Sequence, residues 1–191
     1  MAKKIAIFAS GTGSNAKKII EYFQDNENIV VDLVLSNKKD APVLDMAKSF
    51  RIDTQVIDRQ YFYHSEKLTH VLNERGVDLL VLAGFLWLVP NYLVDAFEDK
   101  IINIHPALLP KFGGKGMYGM NVHRAVKEAG ETETGITIHY VNSKYDEGKG
   151  IFQASCPVYD SDTAEDIAKR VLQLEHEHFP KVIEEVLTNK V

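Results

Sequence analysis

Apolar residues alternate between two spacings along the first half of the chain. Short, nearly continuous apolar runs are typical of strands buried on both faces, and they occur in "KIAIFA", "IVVDLVLS", "TQVI", "DLLVLAG" and "KIINI". The segments between them carry apolar residues three and four apart, which indicates amphipathic helices: "NAKKIIEYFQ", "VLDMAKSF", "EKLTHVLNERG" and "NYLVDAF". Strands that alternate with helices predict right-handed crossovers and a mostly parallel sheet.

The pattern changes after residue 105. Residues 106–120, "PALLPKFGGKGMYGM", contain four glycines and two prolines and predict a long loop. "VHRAVKEAG" is predicted as a helix, "GITIHYVN" and "IFQASCPVY" as two strands, and residues 163–188 as a long helix. We therefore predict an α/β fold of one domain, residues 1–191. It is a doubly wound, mostly parallel, Rossmann-like sheet with a C-terminal antiparallel strand pair and a long last helix.

Composition and charge argue against several classes of function. The 191 residues are 45% hydrophobic and 26% charged, which is typical of a globular protein. The net charge of -5 argues against a nucleic-acid partner, and the longest apolar run, residues 79–90, falls short of the ~20 residues of a membrane span. Because Cys156 is the only cysteine, no intrachain disulfide can form, and a cytoplasmic compartment is predicted. The sequence is compatible with a homodimer and with a monomer.

The segment "FASGTGSNA" links the first strand to the first helix. Its Gly11 to Ala16 part fits the G-x-G-x-x-G/A fingerprint, in which the N–H groups of a helix N-terminus attract phosphate. A dinucleotide site normally has an acidic residue at the end of the second strand, but Ser36 and Asn37 stand there. The loop therefore favours a monophosphate site over a nicotinamide site; the alternative is a plain strand-to-helix turn.

The strand "KIINIHP" ends in an amide and an imidazole. Asn103 and His105 are two residues apart, so they lie on one face of a strand, and Pro106 favours an exit from the sheet. We expect the strand ends at Ser10, Gly84 and Asn103 to face one crevice, where open parallel sheets bind ligands. Taken singly, Asn103 could be a turn residue and His105 a structural histidine.

Four motifs together resemble a known family. "SGTGSN", "VLAGFLWLV", "INIHPALLPKF" and "YDEG" after "GITIHYV" occur in this order along almost the whole chain. They resemble the phosphoribosylglycinamide formyltransferases, folate-dependent enzymes of purine biosynthesis. The resemblance implies transfer of formyl from 10-formyltetrahydrofolate, a co-substrate, to the amine of glycinamide ribonucleotide, giving formylglycinamide ribonucleotide and tetrahydrofolate on the route to IMP. It implies neither a metal nor a nicotinamide cofactor.

The resemblance also assigns residues. It implies that Asn103 and His105 are catalytic donors to an oxyanion, and that Asp146 orients His105 and raises its pKa. In this scheme residues 1–105 are the phosphate-binding half, and residues 106–191 complete the active site. The ribonucleotide residues that it implies are Gly13, Ser14, Asn15 and Glu175. The folate residues are Leu86, Trp87, Leu88, Val89 and Asn103, with Arg59 as the candidate for the glutamate tail.

The chain departs from the family pattern at two places. Trp87 stands where the family has an arginine, and "FGGKGMYGM" is several residues longer than in short members. The other histidines, among them His123 and His139, are predicted to have surface or packing roles.

Two alternative functions remain. The first is a 10-formyltetrahydrofolate hydrolase, a class that carries an additional N-terminal domain, whereas the first strand here is predicted to begin at residue 4. The second is a non-catalytic nucleotide-binding module, which would have no need of Asn103, His105 and Asp146 together. Methionyl-tRNA formyltransferase is not favoured, because it needs a further C-terminal domain and a basic surface.

Overall fold

The structure, a computed structural model, describes residues 2–190. It contains one seven-stranded sheet with helices on both faces. The elements in chain order are β1 (Lys3–Phe8), α1 (Ser14–Phe23), β2 (Ile29–Ser36), α2 (Pro42–Ser49), β3 (Asp53–Val56), α3 (Arg59–Tyr63), α4 (Lys67–Glu74), β4 (Leu79–Leu82), α5 (Asn91–Ala96), β5 (Ile101–His105), α6 (Met120–Glu128), β6 (Glu133–Tyr140), β7 (Gly150–Pro157) and α7 (Ala164–Leu187).

The sheet has the strand order β3-β2-β1-β4-β5-β6-β7. Strands β1 to β5 are parallel to one another, whereas β6 and β7 each run antiparallel to the preceding strand. The predicted parallel sheet, antiparallel pair and long last helix are therefore confirmed, as is the absence of helix or strand between residues 106 and 119.

Helix α3 was not predicted from the sequence. It spans five residues, which is too short to display a helical period. The available signal was Asp58, whose side chain accepts a hydrogen bond from the Tyr61 N–H at 2.7 Å and caps the helix.

The core has two layers, one on each face of the sheet. Strand β1 shows why its sequence is apolar without alternation: Ile5 and Ile7 pack toward α1, α2, α6 and α7, while Ala6 and Phe8 pack toward α3, α4 and α5. All four side chains are almost fully buried. The strand thus contributes to both layers, as expected for a parallel strand covered by helices on both faces.

The carboxyl ends of the central parallel strands meet at one edge. Phe8 pairs with Leu82, and Leu82 pairs with Asn103, so these residues form a row across β1, β4 and β5. Just beyond this row the Ser10 N–H donates to the Gly84 carbonyl at 3.1 Å. The predicted crevice at Ser10, Gly84 and Asn103 is confirmed.

Candidate active site

A cleft of about 970 Å³ opens at this edge of the sheet. Its walls come from the first strand-to-helix loop, the segment after β4, the end of β5, the loop before α6, the β6–β7 turn and α7. The residues from the sequence-predicted set that line it are Asn15, Leu86, Trp87, Leu88, Val89, Asn103, His105, Asp146 and Glu175. Gly13, Ser14 and Arg59 do not line it.

Asn103 is half-buried and faces β6. Its amide Nδ2 lies 3.1 Å from His139 Nε2, its cross-strand neighbour. His139 Nδ1 lies 2.8 Å from the Tyr140 carbonyl oxygen; because a carbonyl can only accept, Nδ1 carries the proton and Nε2 accepts from Asn103. Asn103 therefore uses one amide hydrogen inside the protein and keeps the other for the cleft.

His105 is almost fully buried, and both of its ring nitrogens face acceptors. Nε2 lies 2.7 Å from the Phe112 carbonyl oxygen and therefore carries a proton. Nδ1 lies 3.5 Å from Asp146 Oδ2. In this conformation neither nitrogen has an N–H free for an oxyanion, so the direct donation expected of His105 is not in place.

The pKa of His105 is lowered. Burial disfavours the charged imidazolium more than the Asp146 carboxylate and the Phe112 carbonyl favour it, and His139 lowers the pKa further. Asp146 raises the pKa of His105 as predicted, but the net shift is downward, because only 3% of His105 is exposed and the cost of desolvation exceeds the attraction of Asp146.

Asp146 lies in the turn between β6 and β7 with a left-handed backbone, φ 57°. Its Oδ2 accepts a hydrogen bond from the Gly114 N–H at 2.9 Å, and its Oδ1 lies 3.6 Å from His139 Nε2. Burial alone would raise the pKa of Asp146, but the hydrogen bond from the Gly114 N–H and the attraction of His139 and His105 in their protonated forms outweigh burial and lower it. Asp146 is consequently an ionised carboxylate at neutral pH.

Two histidines assigned to surface or packing roles are buried in the cleft wall. His139 is 3% exposed, and His123 is 6% exposed. Burial lowers the pKa of His123, and so does nearby His105. The sequence held a signal for His139, because Thr137 and His139 repeat on β6 the polar i, i+2 spacing of Asn103 and His105 on β5.

The predicted phosphate loop, residues 11–16, leads into α1. Gly13 precedes the helix with φ 76°, and no side chain caps the first turn within residues 2–190, so its N–H groups have no capping acceptor. Asn15 points its Nδ2 at Glu175 Oε2, 2.6 Å away on α7. Burial raises the pKa of Glu175, and the hydrogen bond from Asn15 offsets this only in part.

Gly13→Ala should destabilise the fold rather than act on binding alone. An added Cβ would lie 2.7 Å from Val43 Cβ and still closer to Val43 Cγ2, and the backbone is left-handed. Left-handed strain and overpacking together should lower the free energy of unfolding by about 2–4 kcal/mol, measured by urea unfolding. Gly11→Ala is the matched control, because no atom lies within 4 Å of its added Cβ. Equal midpoints for the two variants would contradict this account.

The segment after β4, residues 86–89, is held by contacts to its backbone. The Leu86 N–H donates to Ser10 Oγ at 3.0 Å, and the Tyr63 hydroxyl donates to the Leu88 carbonyl at 3.1 Å. The Trp87 ring is half-buried, and the exposed Arg59 guanidinium lies 5.1 Å from its centroid. Arg59 is thus next to the predicted folate segment, outside the cleft itself.

The predicted phosphate loop and the Asn–His–Asp cluster both lie at the carboxyl edge of the open α/β sheet, where folds of this kind bind small molecules. Residues 3–183 match the sequence profile described as formyl transferase, and the chain belongs to the formyl transferase family. It is 44% identical to the chloroplastic phosphoribosylglycinamide formyltransferase of Arabidopsis thaliana and 39% identical to that of Vigna unguiculata. Each match covers 99% of this chain, which spans 67% and 62% of the two plant proteins.

A solved structure agrees with the sequence relatives. The phosphoribosylglycinamide formyltransferase of Anaplasma phagocytophilum is 38% identical, with a TM-score of 0.89 over 98% of this chain and 87% of that one. The predicted family resemblance, fold class and enzyme class, a formyltransferase, are confirmed. Within residues 2–190 no cluster of three or more His, Cys, Asp or Glu has a metal-binding arrangement, and no helix has the length and apolar character to cross a membrane.

Proposed function

We propose that this chain transfers the formyl group of 10-formyltetrahydrofolate to the amine of glycinamide ribonucleotide, as in de novo purine biosynthesis. One observation carries the proposal: Asn103, His105 and Asp146 converge in a cleft between the phosphate loop and residues 86–89. A module that only binds a nucleotide would not need this cluster. The names of the relatives support the same activity.

The two substrates enter from opposite ends of the cleft. The ribonucleotide phosphate binds at the N-terminus of α1, where Ser14 and Asn15 present backbone N–H groups and Gly13 sets the turn. Glu175 binds a polar group of the same substrate. The folate binds along residues 86–89, and Arg59 meets its glutamate tail. The amine and the formyl carbon then meet beside Asn103.

The reaction forms a bond from the amine nitrogen to the formyl carbon and breaks the bond from that carbon to the folate N10. The intermediate carries an oxyanion, which the free amide hydrogen of Asn103 stabilises. The amine loses a proton, and N10 gains one. Neutral His105 has a bare Nδ1 beside ionised Asp146, so this pair takes up the proton and returns it to the leaving group.

The deciding experiment combines the protein with glycinamide ribonucleotide and a 10-formylfolate and follows the folate absorbance. Transfer requires both substrates, with formylated ribonucleotide appearing in equal amount. Loss of formyl from folate without ribonucleotide would instead identify a hydrolase, and no change in either mixture would favour a binding module.

Glu175→Ala should raise the KM for the ribonucleotide by about 10–100-fold, the value of one charged hydrogen bond, with the folate KM within about threefold. Glu177→Ala on the same helix is the matched control, because within residues 2–190 this exposed carboxylate forms an ion pair with Lys181 alone, at 3.7 Å. Steady-state kinetics with each substrate varied in turn make the comparison. Equal increases in both KM values for Glu175→Ala would contradict the assignment of Glu175 to ribonucleotide binding.

The proposed compartment is the cytoplasm. Cys156 is a free thiol with 7% exposure, and burial raises its pKa, so it is a weak nucleophile suited to a reducing environment.

A further inference from the structure

Two backbone groups of the glycine-rich loop, residues 112–120, bond directly to the His105–Asp146 pair. The Phe112 carbonyl accepts from His105 Nε2 at 2.7 Å, and the Gly114 N–H donates to Asp146 Oδ2 at 2.9 Å. These two groups flank a single residue, Gly113. A short stretch of main chain therefore contacts both members of the pair from one side.

Gly113 is the residue that permits this approach. An added Cβ would lie 2.6 Å from Leu109 Cδ2, 3.3 Å from Asp146 Cβ and 3.7 Å from Asp146 Oδ2. Its own φ is outside the left-handed region, so the requirement for glycine here is space and not backbone conformation.

The backbone on both sides of these contacts is held in an uncommon conformation. Phe112 has φ 56° and Asp146 has φ 57°, in the left-handed region that side chains rarely adopt. Such conformations persist where surrounding contacts determine them, and they concentrate at functional sites. Here both residues with this strain contribute a bond to the cluster.

The remainder of the same loop forms part of the cleft wall. Lys115, Met117 and Tyr118 line the cleft, and Tyr118 is 53% exposed. The segment that contacts the His105–Asp146 pair is thus continuous with one that contacts whatever fills the cleft.

We propose that residues 112–114 are a positioning element for the reaction: the Phe112 carbonyl fixes the tautomer of His105, and the Gly114 N–H fixes the carboxylate of Asp146. With Nε2–H committed to Phe112, Nδ1 is the nitrogen that accepts the proton, and it faces Asp146. This inference rests on the proposed roles of His105 and Asp146 in formyl transfer. It adds that the glycine-rich loop sets their geometry.

The first test uses the unmodified protein. Ring ¹⁵N shifts of His105, assigned by comparison with His105→Gln, report which nitrogen carries the proton. At a pH above the His105 pKa the Nε2–H tautomer should predominate, and an Nδ1–H tautomer would overturn the proposal. The tautomer measurement needs no substrate, so it tests the positioning role independently of activity. A failure to transfer formyl would contradict the proposed function and would leave the tautomer result unchanged.

The second test is Gly113→Ala. Displacing Asp146 should lower kcat by about 10–100-fold, as for a small misplacement of reacting groups. Both substrate affinities, followed by fluorescence of the single tryptophan Trp87, should stay within about threefold. Gly150→Ala is the matched control, because its added Cβ meets no atom within 4 Å. A kcat for Gly113→Ala within twofold of the control would overturn the proposal.

A third variant separates the two contacts of the added methyl group. Leu109→Ala combined with Gly113→Ala removes the Leu109 clash and leaves the contact with Asp146. The loss of kcat, relative to Leu109→Ala alone, should persist in the double variant, whereas full recovery would overturn the role of Asp146 positioning.

The titration midpoint of His105 is a measurement that a packing defect alone would not change. His105 faces Asp146, His139 and His123, and of these only Asp146 raises its pKa. Moving Asp146 away should therefore lower the His105 titration midpoint in Gly113→Ala. An unchanged midpoint together with the lower kcat would contradict the proposal.

Discussion

Asn103→Ala is expected to lower kcat by about 10²–10³-fold, the effect of removing one oxyanion donor. The side chain is half-buried, lines the cleft, and gives only one of its two amide hydrogens to His139. The free hydrogen is the one group of the cluster that can donate to an oxyanion in the observed conformation. Steady-state kcat for formyl transfer is the measurement, with substrate affinities followed by Trp87 fluorescence.

Two further variants make the result specific to hydrogen-bond donation. Asn103→Asp keeps the shape but replaces the donor with a carboxylate, so it should lose at least as much activity as Asn103→Ala. Asn91→Ala, at an exposed position on α5, should leave kcat within about twofold. An Asn103→Asp enzyme with kcat close to that of the unmodified protein would exclude the donor role.

Asp146→Asn is expected to lower kcat by about 10²-fold or more, the usual range for a group in acid–base catalysis. The amide oxygen can still accept the Gly114 N–H, so the glycine-rich loop should keep its place. The negative charge beside His105 Nδ1 is lost. Since that charge raises the pKa of His105 against burial, the variant should titrate His105 at a lower pH, measured by NMR.

The control for Asp146→Asn is its neighbour Glu147→Gln, an exposed carboxylate that pairs with Lys144 at 3.1 Å. It should change neither kcat nor the His105 titration. The double variant of Asn103→Ala and Asp146→Asn should lose less than the product of the single losses, because the residues act as a unit. If the kcat of Asp146→Asn were close to that of Glu147→Gln, Asp146 would have a structural role and no catalytic one.

The fold was predictable because its signals are local. Continuous apolar runs such as that of β1 need only the rule that parallel strands are buried on both faces, and Asn103 and His105 reveal their common face by spacing alone. Asp146 required the family resemblance, because its turn has the composition of a solvated hairpin, and its approach to His105 depends on the β6–β7 pairing.

The charge balance at the site was not predictable in the same way. The pKa of His105 depends on how deeply the loop after Pro106 buries the ring, and this burial is determined by the tertiary structure. The two-residue spacing of Thr137 and His139 could have identified His139 as a candidate. Its position opposite Asn103, however, depends on β6 pairing antiparallel with β5. Helix α3 was missed because five residues carry no period.

The hydrogen bond from Asn15 to Glu175 also has a consequence for biosynthesis on the ribosome. Its two residues are 160 positions apart, and they join the first helix to the last one. At about 5–20 residues per second, roughly 8–32 s separate their synthesis. A nascent chain carries residues 11–16 early in synthesis, yet the cleft lacks the Glu175 carboxylate until α7 leaves the exit tunnel.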